Sequence, residues 1–221
     1  MAKKVSFKAK GAVSLLLVGF ILCGISNLFY LASWAGFLGF FSLFSVVGLI
    51  FQLIAIVKLQ DEYKEFTNIL KAVVVALALF LTSAVLDAIL RAVASADHPV
   101  ATALIISFSS VANVIGLVIS IYITLNIIKG CVVISGNDSQ ITSFAPIVIK
   151  WYKISVIVNV IGIILGSIFG VLVIIPALAD NKAVQVLLII FNVLNFIVSI
   201  ASDVAIITLL GKTNAVIDSD N

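Results

Sequence analysis

Six times along its 221 residues the chain runs through an apolar stretch about as long as a bilayer is thick, and little chain is left between them. A helix needs about 20 apolar residues to span a hydrocarbon core of ~30 Å. The stretches fall at 11–32, 37–57, 70–91, 101–128, 147–175 and 184–210. In lipid every backbone N–H and C=O must be paired within the protein, which leaves only helices and closed barrels. Barrel strands alternate apolar and polar residues over ~10 positions, and the unbroken run from Val73 to Leu81 does not alternate. Composition agrees: 10% of residues are charged, against about 25% in a soluble domain, and mean hydropathy is +1.33. The expected fold class is an all-α integral membrane protein with six transmembrane helices.

The charges fix an orientation. Lys3, Lys4, Lys8 and Lys10 precede the first stretch, Lys58, Lys64 and Lys71 flank the second link, and Lys129, Lys150 and Lys153 flank the fourth. Lys212 follows the last stretch. On the other side stand Lys182 and Arg91. Lysine-rich links stay in the cytoplasm, so both ends of the chain are expected there and the links 33–36, 94–100 and 177–183 outside. Residues 1–10 then form a cytoplasmic Lys-rich segment, 11–211 the membrane domain and 212–221 a short cytoplasmic tail. The helices pair as three consecutive hairpins, 11–57, 70–128 and 147–210.

The hairpins echo one another. Even-numbered stretches end in Ile56-Val57-Lys58, Ile127-Ile128-Lys129 and Leu210-Gly211-Lys212, and odd ones follow Ser6-Phe7, Glu65-Phe66 and Ser143-Phe144. A parallel triplication gives this pattern, and so does the common need of every inner helix end for a lysine and an aromatic. Pro146 and Pro176 bracket the fifth stretch. The first stretch is too long for a secretory leader and no small-x-small cleavage site follows it, so it is expected to be retained.

Cys23 lies within the first stretch and Cys131 just beyond the fourth, too far apart in this layout for a disulfide. A juxtamembrane Cys131 is open to acylation, with an unmodified thiol the favoured state. The single histidine, His98, and the two cysteines supply no metal cluster. Asn137-Asp138-Ser139 fits a glycosylation sequon but falls on the cytoplasmic side, where it goes unused.

Polar and small residues collect on one face of each helix. In the sixth, Asn192, Asn195, Ser199, Ser202 and Asp203 share an arc of roughly 100°. Ser155, Asn159, Gly162, Gly166 and Gly170 line up in the fifth, and Ser109, Asn113, Gly116, Ser120 and Thr124 in the fourth. The third offers Ser83, Asp87 and Arg91, the second Ser45, Gly48 and Gln52, and the first Gly19, Cys23, Ser26 and Asn27. Gly162, Gly166 and Gly170 have the spacing of a close helix contact, where small residues let backbones approach. For Asn159, Asn192 and Asn195, and likewise Gln52 and Asn113, packing across helices and lining of a polar cavity are both open.

Ionisable groups weigh more, because a charge at the bilayer centre costs at least ~2.5 kcal/mol. Asp87 and Arg91 are four apart and can pair on one helix, a structural arrangement near the outer surface. Asp203 lies in the inner half of the sixth stretch with no cation within helical reach. Its candidate partners are Gln52, Ser155, Asn159, Thr124 and the heads of Lys58 and Lys129. It is the leading candidate for contact with an ion or solute, set against a structural tie to a lysine.

No metalloprotease, nucleophile-elbow, intramembrane-protease or P-loop motif is present, so an enzyme is not expected, and neither is a cofactor. Nucleic acid lacks a basic domain to bind; the terminal lysines suit anionic lipid. The expected partners are the lipid bilayer and either a second membrane subunit or further copies of the chain. Two functions remain: transport, as a small carrier or channel or as a transporter subunit, and a non-transporting scaffold, assembly, immunity or regulatory role through helix contacts. The compact, lysine-sided design fits a bacterial cytoplasmic membrane.

Overall fold

The computed structural model describes residues 7–30, 38–93, 99–172 and 182–219. Among them the chain forms six α-helices and no strand: α1 (Phe7–Tyr30), α2 (Leu38–Leu59), α3 (Lys64–Val93), α4 (Pro99–Ile134), α5 (Ser139–Leu172) and α6 (Lys182–Ser219). Each overlies one expected stretch. Four contain segments long and apolar enough to cross a membrane, Lys8–Leu28, Ser110–Ile134, Ser139–Leu165 and Ile189–Ser219, and α2 carries a shorter one, Leu43–Leu59. Most of the links 33–36, 94–100 and 177–183, expected outside, lies with His98 and Pro176 beyond the described residues.

The helices run well past the apolar stretches on the lysine-rich side. α3 begins six residues before residue 70, α5 eight before residue 147, and α6 continues nine past residue 210. The physical reason is that helical periodicity continues after uninterrupted hydrophobicity stops: Ile141, Ala145 and Val148 in α5, and Leu209, Leu210, Thr213 and Ile217 in α6, are buried at intervals of three or four. Pro146 accordingly sits inside α5 rather than before it, where it withholds one backbone N–H from the helix ladder.

Short links join these extended ends. After α4 the Asn137 N–H donates to the Val132 carbonyl at 3.0 Å and the Gly136 N–H to Val133 at 3.1 Å, the double bond pattern that closes a helix through a left-handed residue. Gly136 and Asn137 both have positive φ, 65° and 63°. The next residue, Asp138, starts α5: its Oδ1 accepts from the backbone N–H of Gln140 at 2.8 Å and of Ile141 at 3.3 Å, satisfying donors that have no partner inside the helix. The sequon at Asn137 is thus a stop-and-start signal. Between α2 and α3, the N–H groups of Glu62 and Tyr63 return to Leu59, and Thr67 Oγ1 donates to the Gln60 carbonyl at 3.0 Å.

The chain divides into two compact units. The first takes in Met1–Lys71, Tyr122–Lys153 and Ser199–Asn221. It has an apolar interior: Leu16, Leu59, Phe66, Ile69, Cys131, Ile141, Leu209, Leu210 and Ile217 are buried within it, while Leu43, Val46, Leu49 and Ile54 of α2 are exposed. Gly130 makes room for the Phe66 ring, whose Cζ would lie 2.8 Å from a Cβ at that position. Around this core, Lys8 pairs with Asp61 at 3.1 Å, Lys10 with Asp218 at 2.7 Å, and the Lys212 ammonium stands 5.5 Å above the Phe144 ring centre.

The second unit, Ala72–Ile121 with Ile154–Val198, exposes apolar side chains along several helices. Val74, Val75, Leu77, Leu81, Val85 and Ile89 are exposed along α3; Phe108, Val111 and Val118 along α4; and Val186, Ile189, Ile190 and Ile197 along α6. Contiguous exposure on this scale is far beyond what a soluble protein tolerates and suits contact with lipid.

Candidate functional site

The candidate site lies in the first unit and is built by the way α1 packs on α2 and α6. Gly19 and Gly48 set the crossing of α1 and α2. A Cβ on Gly19 would fall 2.7 Å from the Gly48 carbonyl oxygen, and one on Gly48 would fall 2.7 Å from the Gly19 carbonyl oxygen. Neither helix accepts a side chain there, because backbone rather than a movable side-chain tip stands in the way. This close approach brings the small and polar stripes of the two helices together. Cys23 Sγ donates to the Ser45 carbonyl at 3.7 Å, and Gln52 Nε2 donates to Cys23 Sγ at 3.4 Å.

Against α6, α1 runs antiparallel in a fixed register. Lys10 meets Asp218, Ser14 Oγ donates to Asn214 Oδ1 at 2.9 Å, Gly24 lies beside Ile207, and Asn27 Nδ2 donates to Asp203 Oδ2 at 3.0 Å. The numbers of these pairs sum to between 228 and 231, as they must for two antiparallel helices meeting along one seam. Polar pairs therefore recur along an interface otherwise made of apolar and small side chains.

Asp203 sits at the far end of that seam, nine residues and about 14 Å along α6 from Lys212. Its partner is the neutral carboxamide of Asn27, and none of Gln52, Ser155, Asn159, Thr124, Lys58 or Lys129 bonds to it among the described contacts. Gln52 is occupied by Cys23, and Asn159 Nδ2 turns back to the Ser155 carbonyl at 2.9 Å and to its Oγ at 3.4 Å, both on its own helix. Thr124 is buried within α4.

The other candidates fall in the second unit and are not drawn into one constellation. Asn113 and Asn192 are exposed. Asn195 is half-buried, with its Oδ1 enclosed and without a hydrogen-bond partner among the described residues. Gly162 receives the edge of the Phe191 ring, whose Cε1 would stand 2.8 Å from a Cβ at that position, a packing role. The side chains of Asp87 and Arg91, and the surroundings of Gly166 and Gly170, lie outside the described residues. Cys131 has no exposed surface and interacts with Thr213; a thiol so enclosed is not open to acylation. Among the described residues no three histidine, cysteine or acidic side chains gather where a metal ion would fit.

Sequence reasoning placed Asn27 on the polar stripe of its helix but did not pair it with Asp203. The signal it lacked was the α1–α6 register, which is set by contacts 176 to 200 residues apart in the chain. No protein-family model, curated protein or solved structure matches this chain.

Proposed function

We propose that the protein is a multi-pass membrane protein of the bacterial cytoplasmic membrane, with all six helices crossing the bilayer as three hairpins and both chain ends on the lysine-rich inner side. On this reading it is transport-associated, either as a small carrier or channel or as the membrane subunit of a transporter. The observation that carries the proposal is Asp203: a carboxylate midway along an apolar helix, held by an uncharged amide. An ionisable group kept at that depth is expensive, and such residues mark ion and solute paths more often than packing contacts. The exposed apolar surface of the second unit and the lysines that fringe the first support the placement in lipid.

The test is reconstitution. Purified protein in liposomes is assayed for proton and sodium flux under an imposed gradient, alongside Asp203→Asn. Flux in the unaltered protein that Asp203→Asn abolishes, at equal protein incorporation, bears the reading out. Equal rates in both, indistinguishable from empty liposomes, transfer the protein to the scaffold class. Native mass spectrometry of the complex extracted in mild detergent then identifies whether it works beside another membrane subunit.

A further inference from the structure

We propose that Asp203 and Asn27 together form a binding site for one small monovalent cation, a proton or an alkali-metal ion, drawn from solution. The inference rests on the membrane-spanning reading above and names the ligand of the same site. It starts from a charge balance. Asp203 Oδ2 accepts from Asn27 Nδ2 at 3.0 Å, and an amide supplies a dipole, not a countercharge.

The surroundings supply no countercharge either. From α1, Cys23 and Asn27 face the carboxylate, and Cys23 is the titratable neighbour that feels its field. From α2, Gln52 and the Ser45 carbonyl reach Cys23 and are neutral. On α6 itself the flanking residues Ser199, Ser202, Ile206 and Ile207 carry no charge. The lysines on or near this seam are engaged elsewhere: Lys8 with Asp61, Lys10 with Asp218, and Lys212 over Phe144. An ionised carboxylate with no countercharge at membrane depth is neutralised rather than tolerated. Among the described residues no side chain supplies that charge, which leaves the solution as its source.

The donor set indicates which charge. Asp203 Oδ1 is not used in the Asn27 hydrogen bond, and a half-turn of the Asn27 amide offers its own carbonyl oxygen beside it. Hard oxygen donors suit a proton or a small alkali ion. A divalent ion needs more oxygen ligands and more negative charge than one carboxylate supplies, and no three histidine, cysteine or acidic side chains gather among the described residues. A single positive charge completes the site.

The experiment uses a hydrophobic carbodiimide, which adds only to a protonated carboxyl group buried in an apolar phase. Full-length protein in mild detergent is labelled across mildly acidic to mildly basic pH in choline chloride, then with sodium or potassium chloride added, and the adduct is located by peptide mass spectrometry. Asp203→Asn is the blank. Labelling at Asp203 that declines with rising pH but ignores alkali salt names a proton as the ligand. Labelling suppressed by sodium or potassium at constant pH and constant ionic strength names the alkali ion. Either result sustains the site.

In Asn27→Ala the proton or ion concentration of half-effect should move by about fivefold, equivalent to loss of one hydrogen bond of about 1 kcal/mol. Asn27→Ser serves as the second variant if Asn27→Ala does not purify as a single species. Absence of label at Asp203 under every condition, or labelling indifferent to pH and to both ions, overturns the proposal. So does a half-effect that neither Asn27 variant moves. Labelling requires no transport, so an occupied site without flux and an empty site are told apart.

Discussion

Gly136 and Asn137 hold the backbone in the left-handed region, and Asp138 immediately caps the next helix. A Cβ-branched residue in that conformation costs roughly 1–2 kcal/mol, so Gly136→Val is expected to lower stability by about that much, with Gly136→Asn far milder. Asp138→Ala should cost about 1 kcal/mol through loss of the cap. Both are read from thermal unfolding in detergent. Tyr63, in the α2–α3 link, has its phenol pushed up from the ordinary value, first by burial and then by the charge of Glu62. The folded protein therefore holds the Tyr63 proton more tightly than the unfolded chain. The stabilisation is complete below about pH 10, the unfolded value, and is lost as pH rises through the folded one. An ultraviolet titration compared with Tyr63→Phe should show one tyrosine ionising late. The Gly136-Asn137-Asp138 turn is legible from residue chemistry alone, although Asn137-Asp138-Ser139 also spells a sequon.

Between elements, the interfaces differ in what they resist. At the α1–α2 crossing the obstacle to a side chain is backbone on both sides, so Gly19→Leu and Gly48→Leu should each prevent the pair from closing and reduce the yield of monodisperse protein sharply. The salt bridges at the helix ends behave otherwise. Lys10 and Asp218 are substantially exposed, and a double-mutant cycle across them should return a coupling below about 1 kcal/mol. Helix number, order and approximate position were readable in the sequence, since each is a local property of apolar runs and their flanking lysines. Where the helices stop was not. Ile141, Ile217 and Phe66 are spaced for burial against neighbours rather than for lipid, and a scan for continuous hydrophobicity passes over them. The seam that joins Asn27 to Asp203 was hidden for a related reason: six similar helices admit many pairings, and only packing selects one.

At the scale of the molecule, burial separates the two units. The first encloses an apolar core around Phe66, Leu209 and Ile217, while Leu43, Leu49 and Ile54 of its α2 stay exposed; the second shows its apolar side chains. Membrane-impermeant maleimide should therefore leave Cys131 unmodified in the folded protein and react readily at Lys150→Cys, a site exposed on α5. On the proposed orientation the second reaction occurs in inside-out vesicles and fails in right-side-out ones. The capped turn at 135–138 has a practical corollary. In detergent the micelle covers exposed apolar side chains, and the hydrogen-bonded links after α2 and α4 offer a polar surface. An antibody fragment selected against the solubilised protein should settle there, giving a 23.4 kDa chain the rigid handle that single-particle imaging needs.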